Sequence, residues 1–569
     1  MKLFTELHEI AVNKEIISNT TEAGKWRSME YRTKLGRGHL LVASANVQPE
    51  PVTFQLNLKG WYKIYVCLFD MMNENYCFVK LSGDEAYTPV AQVRRAYPRA
   101  WQFTEYMQEF YWKCADLTGQ DFILAKPDYM LPSCSGLSWI RCEEMTEAEV
   151  AQYLESQNKT NKCVQMHFDM DSFFLDRSQD KKEHFANLHM LKNTNMDFCT
   201  MEYSMLYDHE HEENYIPLRH GENCLNTGKY TYEEILGKYT SFAHENNLKL
   251  YASHRMSMAN FHAPFSIPEF RNNFIKNNSK YYCRNRDGST LKVCSYAYEE
   301  VQQYVIEHIL KMIKLGFDGV SMIMHRGIHI AFEPPVIERF AALYPDVDPH
   351  LLPITDERLH GVWCEFMTAF MEKVRKDLDE NFETHIPVNV ITDYGLATAK
   401  HLGLDLETWA KKGLIDCLSQ ADMETYEDLT DCMNEDNPSL IDLDKYKKRL
   451  EDYPIIKRNY GTNVEKVCAH IPEYLHIEEM YGTKVYHVLP WMNTIAPEKY
   501  MDAVDQLTKS GAKRFLAWNT NHICANWPEF HMVSNLGNTS VLDGTQRQFY
   551  RVLSIDDSDI SQYNANWRG

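Results

Sequence analysis

The stretch LGFDGVSMIMHRGIHIAFEPP, residues 315–335, decides the fold. Ahead of it, Val301, Val305, Ile309 and Met312 or Ile313 recur at helical spacing, so residues 298–314 are predicted to form an amphipathic helix. Gly316 follows as its natural C-terminal cap. Residues 320–324 are a short apolar run, which suits a strand covered on both faces. The run ends in His325, Arg326 and Gly327, and Glu333 follows in an irregular segment before two prolines. Helix, tight turn, buried strand and polar loop make half of a βα-barrel repeat. In such barrels the loop after each strand faces the functional site. The polar residues here are therefore candidates, against the plainer alternative that an arginine ties down a long loop.

Working outward, the same rhythm recurs from Cys163 onward. Strands are predicted at 163–171, 196–205, 248–255, 320–324, 386–392, 415–419, 484–493 and 514–521, with helices between them. Eight alternations predict an α/β chain with a (β/α)8 TIM barrel over residues 151–545. Residues 422–482 read as an insertion between strands six and seven, acidic at first and then basic and aromatic. Residues 546–569 read as a C-terminal extension.

The first 150 residues follow a different period. Val52, Phe54, Leu56 and Leu58 alternate with polar neighbours, as do Tyr62, Ile64, Val66 and Leu68. Short alternating strands between turn residues predict an N-terminal antiparallel β-sandwich domain. It shows no cluster of acids or histidines and reads as accessory. Trp61, Trp101 and Trp112 are its candidate platforms for a sugar ring.

Composition narrows the function classes. The chain has 569 residues and a formal net charge of -21, which disfavours a nucleic-acid or anionic-membrane partner. No run of about 18 apolar residues marks a membrane span. The opening MKLFTELHEIAVNKEI has neither the apolar core nor the cleavage site of a signal peptide. The 15 cysteines lie scattered without a CxxC pair, as free thiols in a reducing compartment would. A cytoplasmic location is expected, with self-association left open.

In a barrel, function gathers at the C-terminal strand ends. The polar residues there are Asp169 and Asp171, Glu202, His254 and Arg255, then His325, Arg326 and the later Glu333. Asp393, Gln420 and Asp422 follow, then Trp491 and Asn493, and finally Trp518, Asn519 and Asn521. Amides and tryptophan faces suit sugar hydroxyls and rings, and paired carboxylates suit glycosidic cleavage. A metal reading would use His167, Asp169 and Asp171 of the HFDMD run, but later strands offer too few further ligands. No metal and no cofactor is expected. There is no nucleophile elbow, phosphate loop or dinucleotide fingerprint.

Several of these segments are similar to a known group. DGVSMIMHRG, FEPPVIERFAALYPDVDP, GLDLETWAKKGLID and GTKVYHVLPWMN with SGAKRFLAWNTN resemble the barrels of family-10-like glycoside hydrolases. The resemblance covers residues 163–542 and implies a TIM barrel, often with an N-terminal β-domain, that acts on carbohydrate. It departs at the catalytic positions. The related clan ends strands four and seven in glutamates, whereas strand four here ends MHRG and strand seven ends WMN. The expectation is therefore a glycoside hydrolase of an imported oligosaccharide or small glycoside, with Glu333 as general acid. Asp169, Asp171, Glu202 or Asp393 would be the partner carboxylate. His254, Arg255, His325, Arg326, Asn493, Asn519 and Asn521 would hold the substrate, with Trp491 and Trp518 stacked on it. The alternatives are a barrel that binds carbohydrate without cleaving it, and a metal-dependent hydrolase or lyase.

Overall fold

A computed structural model describes residues 1–44, 47–69, 75–91, 106–127, 134–169, 186–203, 232–257, 273–324, 328–392, 395–421, 463–490, 497–518, 520, 527–537 and 547–555. Eight parallel strands close a barrel in chain order. They are Val164–Asp169, Met196–Tyr203, Leu250–Arg255, Gly319–Ile323, Val388–Thr392, Cys417–Gln420, Lys484–Val488 and Phe515–Ala517, here barrel strands one to eight. The eighth pairs back onto the first, Val164 opposite Phe515. Each lies where an apolar run predicted it, because strands sheathed on both sides need apolar residues at nearly every position.

The barrel interior is filled in layers. Near the N-terminal strand ends, Phe198 stacks on Tyr251 at 4.2 Å and meets Tyr486 edge-on at 5.4 Å. Strands two and seven are not neighbours, so that last contact crosses the interior. A Cβ on Gly319 would stand 2.8 Å from the Tyr251 ring, so glycine makes room for the tyrosine. Beyond this plug, the Ser419 hydroxyl donates across the barrel to Gln165 Oε1. Asn389 joins Ser419 at 2.9 Å and Ser321 at 2.9 Å. These buried polar groups hydrogen-bond mainly to one another, although Gln165 Nε2 is left without a partner.

Helices cover the outside. Helix Glu299–Lys314 buries Val301, Val305, Ile309 and Met312 as predicted, and the chain then turns through Gly316 at φ +100°, a region glycine enters without a Cβ penalty. Helix Glu357–Asn381 starts at Asp356, whose carboxylate accepts from the Arg358 N–H. Two helices differ from the sequence reading. Pro334–Leu343 opens directly after Glu333 with proline in its first turn, where a missing N–H costs nothing. Val464–Tyr481 falls in the stretch read as an insertion, yet it buries Val467, Ile471, Tyr474 and Ile477 and leads straight into strand seven. It is the helix that this βα unit requires, and only part of the presumed insertion precedes it.

The N-terminal region holds two further sheets of mainly antiparallel pairs, one of eight strands and one of four. In the larger, Ser135–Glu144 pairs with both Gly36–Ala43 and Trp61–Phe69. Those two are linked in turn through Trp26–Thr33, Gln548–Ile555 and Tyr106–Asp116, so the pairing returns on itself as a ring of strands. The strand Gln548–Ile555 comes from the segment read as a C-terminal extension. The last part of the chain is thus woven into the first. Leu41, Ile64, Val66 and Phe110 of the larger sheet share one core with Val52, Val79 and Phe122 of the smaller. Trp112 is fully buried in that core against Phe122, which removes it as a sugar platform. Trp61 packs against Tyr153 at 5.9 Å, and Trp101 lies outside the described residues.

Candidate active site

Barrel strands one to three bring four side chains together at their C-terminal halves. Alternation along strand two puts Thr200 and Glu202 on one face, and parallel pairing sets them beside His167 and Asp169 of strand one. His167 Nδ1 lies 2.9 Å from Thr200 Oγ1, and its Nε2 lies 3.2 Å from Glu202 Oε2. From strand three, Arg255 Nε donates to Glu202 Oε1 at 2.8 Å, and an Nη2 bond reaches the same oxygen. The carboxylate thus takes a different donor on each oxygen. Since a carboxylate accepts, His167 Nε2 is the donor in its contact with Glu202, while the Thr200 hydroxyl also reaches the Met166 carbonyl at 3.4 Å. From strand eight, Trp518 stacks on the His167 imidazole, with ring centres 3.9 Å apart and planes 20° apart.

Glu202 and His167 are almost sealed from water, at 1% and 0% exposure, while the Arg255 side chain keeps 20%. A buried ion pair of this kind is a weak source of net stability, because desolvation offsets the attraction. Removing one partner is nonetheless costly, because the other charge is left stranded. Its geometry places a fixed negative charge, flanked by a planar cation and an imidazole edge, at the end of the barrel where function gathers.

Glu333 is built differently. It is fully buried, and its carboxylate accepts from the Ser295 hydroxyl, the Ala331 N–H at 2.8 Å and the Arg284 N–H at 3.2 Å. Burial raises its pKa above the ordinary value, and those hydrogen bonds oppose the rise. Arg284 ends the first strand of a hairpin made by Tyr282–Arg284 and Thr290–Cys294, and Ser295 follows the second. Around it, His329 Nε2 bonds the Met324 carbonyl at 2.8 Å and Trp363 Nε1 donates to the Ala331 carbonyl at 2.8 Å. These are the contacts of an anchor that fastens the loop after strand four to the hairpin after strand three. The carboxylate's partners are two backbone N–H groups and a serine hydroxyl, which suit a structural part for Glu333 more than the acid role expected from the sequence.

His254 alternates with Arg255 along strand three and faces the other way. It is completely buried, with His308 of helix Glu299–Lys314 as a charge neighbour, and burial pushes its pKa down to about 3. It is a neutral histidine of the strand–helix layer, which does not suit the substrate contact expected of it. Gln420 also faces outward, where it donates to the Val467 carbonyl and meets His487 Nδ1 at 2.7 Å. Trp518 sits with the site, but one of its faces is taken by His167. The backbone of Asp169 pairs in register with Glu202. Asp171, His325, Arg326, Asp393, Asp422, Trp491, Asn493, Asn519 and Asn521 lie outside the described residues.

Two site residues were missed by sequence reasoning. His167 was weighed only as a metal ligand, although the alternation in HFD already set it on one face with Asp169. Thr200 gave no signal, since its part depends on which residue strand pairing puts opposite it. Among the described residues, no third metal-binding side chain joins His167 and Glu202.

No protein-family model matches the chain, and no curated protein matches it in sequence. Among solved structures it is similar to the catalytic domain of a β-amylase from Paenibacillus polymyxa, at 10% identity and a TM-score of 0.37, over 66% of this chain and 99% of that one. It is also similar to an α-galactosidase from Thermus thermophilus, at 10% identity and a TM-score of 0.32, over 86% and 90%. A ruminal GH26 endo-β-1,4-mannanase matches at 9% identity and a TM-score of 0.28, over 90% of each chain. Likeness at this level carries no argument about activity, which rests on the site alone.

Proposed function

We propose that the chain is a glycoside hydrolase whose central carboxylate is Glu202. The observation that supports this reading is the carboxylate's place, held between Arg255 and His167 at the end of barrel strand two. Cleaving a glycosidic bond develops positive charge on the sugar ring, and a fixed carboxylate stabilises that charge or attacks the carbon that bears it. Glu202 suits this part because its neighbours hold it as an acceptor. Asp169, in register beside it, is the partner acid in this reading, and Trp518 closes the site as an aromatic wall. The N-terminal sheets serve as an accessory sandwich, and the resemblance to family-10-like barrels extends to the fold but not to the usual glutamate pair.

One observation favours a second reading. Glu202 has both oxygens engaged and scarcely any exposure, as a carboxylate would in a barrel that binds sugar without cleaving it. Hydrolysis of a panel of aryl glycosides by the purified full chain separates the two. The hydrolase reading expects release of the aryl group from at least one glycoside, with the rate falling about 10²–10⁴-fold in Glu202→Gln. Saturable sugar binding without turnover would replace it with the binding reading.

A further inference from the structure

Far from the barrel strands in sequence, three metal-binding side chains converge on the N-terminal ring. Glu6 precedes the short helix Leu7–Ile10, which carries His8, and His39 comes from the strand Gly36–Ala43. The His39 N–H donates to the Thr5 carbonyl at 2.8 Å, which lays the strand directly against the residues before the helix. That approach needs Gly38, because a Cβ there would stand 2.8 Å from Thr5 Cβ and 2.5 Å from the Tyr31 hydroxyl. The sequence therefore spends a glycine on bringing His39 to Glu6.

The donor atoms face one another. Glu6 Oε2 lies 2.5 Å from His39 Nδ1 and 3.7 Å from His8 Nδ1, and all three ligand atoms fall within 4.8 Å of each other. Nitrogen and oxygen ligands about 2.0–2.2 Å from a tetrahedral ion are separated by roughly 3.3 Å, so the two measured distances straddle the separation required. His8 Nδ1 is shielded from water and makes no hydrogen bond, which leaves a lone pair or proton with nothing to meet. The side chains of Glu6, His8 and His39 are 38%, 32% and 31% exposed, so one side stays open for a water ligand. Burial, and then the neighbouring His39, hold the His8 pKa below its usual value. Of the other charges facing His8, Glu9 favours a cation and Lys14 opposes one.

We propose that Glu6, His8 and His39 bind a divalent zinc-type cation that pins the N-terminal helix to the ring of strands. Two imidazoles and one carboxylate suit zinc, copper or nickel and do not suit magnesium or calcium, which prefer oxygen alone. On binding, the ion takes the place of the proton between His39 Nδ1 and Glu6, and the neutral imidazole carries its one proton on Nε2.

The test uses the full chain, stripped with a chelator and titrated with Zn²⁺ by calorimetry, with bound metal counted after dialysis. Wild type is expected to hold one Zn²⁺ that Mg²⁺ does not displace, and to melt at a higher temperature with it. His8→Ala is the decisive variant, since His8 Nδ1 has no hydrogen bond to lose. It should bind at least about tenfold more weakly and lose the rise in melting temperature, as should Glu6→Gln. His244→Ala, at a half-exposed histidine paired with Asp318, should change neither. Absence of saturable binding to wild type would overturn the proposal, as would wild-type affinity in both His8→Ala and Glu6→Gln.

Discussion

Glu202 and Glu333 are both buried glutamates near the C-terminal ends of barrel strands, and their partners set them apart. Glu202 is met by side chains that carry or exchange protons, Arg255 and His167, each projecting from its own rigid strand. Glu333 is met by two backbone N–H groups and a serine hydroxyl, all from loop or hairpin. In the proposed reading the first arrangement fixes a charge beside the substrate. The second uses a charge to hold backbone in place. Burial alone, which both share, says nothing about which glutamate does chemistry. What discriminates is whether the neighbours respond to a charge or merely satisfy it.

The largest effect that would sharpen this contrast is in Glu202→Gln. Turnover of a cleaved aryl glycoside should fall about 10²–10⁴-fold in protein that circular dichroism shows to be folded. Arg255→Lys keeps the charge but loses the planar fork, and a displaced carboxylate should cost roughly 10²-fold in turnover. Loss of helical and sheet signal in either variant would instead mark the cluster as structural.

Glu333→Gln should act mainly on stability. The amide can face Ser295 and the Ala331 N–H with its oxygen, but its NH2 group then opposes the Arg284 N–H. One buried donor without an acceptor costs about 1–3 kcal/mol, seen as a lower melting temperature with turnover little changed. The pH dependence gives a second check. Because the folded pKa of Glu333 is raised, its contribution to stability is fully present below about 4.5 and is lost as pH rises through the folded value. Wild type should therefore lose stability relative to Glu333→Gln as pH climbs from 4 toward neutrality. A flat difference would mean that the carboxylate titrates alike in both states. The smallest effect belongs to Gly319→Ala, whose methyl group would press on Tyr251 below the mouth. It should cost about 1–3 kcal/mol of stability and leave turnover alone.

The sequence made the barrel legible because its evidence is local. Apolar runs such as 320–324 and helical spacing such as Val301, Val305 and Ile309 are visible within a dozen residues. The helix Val464–Tyr481 had the same spacing at Val467, Ile471, Tyr474 and Ile477, but the charged tract before it drew the whole segment into an insertion. The site was legible only in part. Glu202 and Arg255 were marked by standing at strand ends, whereas their ion pair, and the approach of His167, follow from pairing between strands. The two faces of strand three were not told apart either, since Arg255 turns to Glu202 and His254, its neighbour, is completely buried on the other side. The partners of Glu333 were not legible, since Arg284 and Ser295 lie 49 and 38 residues earlier, at a hairpin that no local pattern ties to it.

The most direct measurement sets the two glutamates side by side. Glu202→Gln and Glu333→Gln are assayed for turnover of the same activated aryl glycoside, below the melting temperature of both. The account predicts that Glu202→Gln loses at least about 10²-fold while Glu333→Gln stays within about tenfold of wild type. Loss of turnover in Glu333→Gln with activity kept in Glu202→Gln would contradict it and return the chemistry to the loop after strand four.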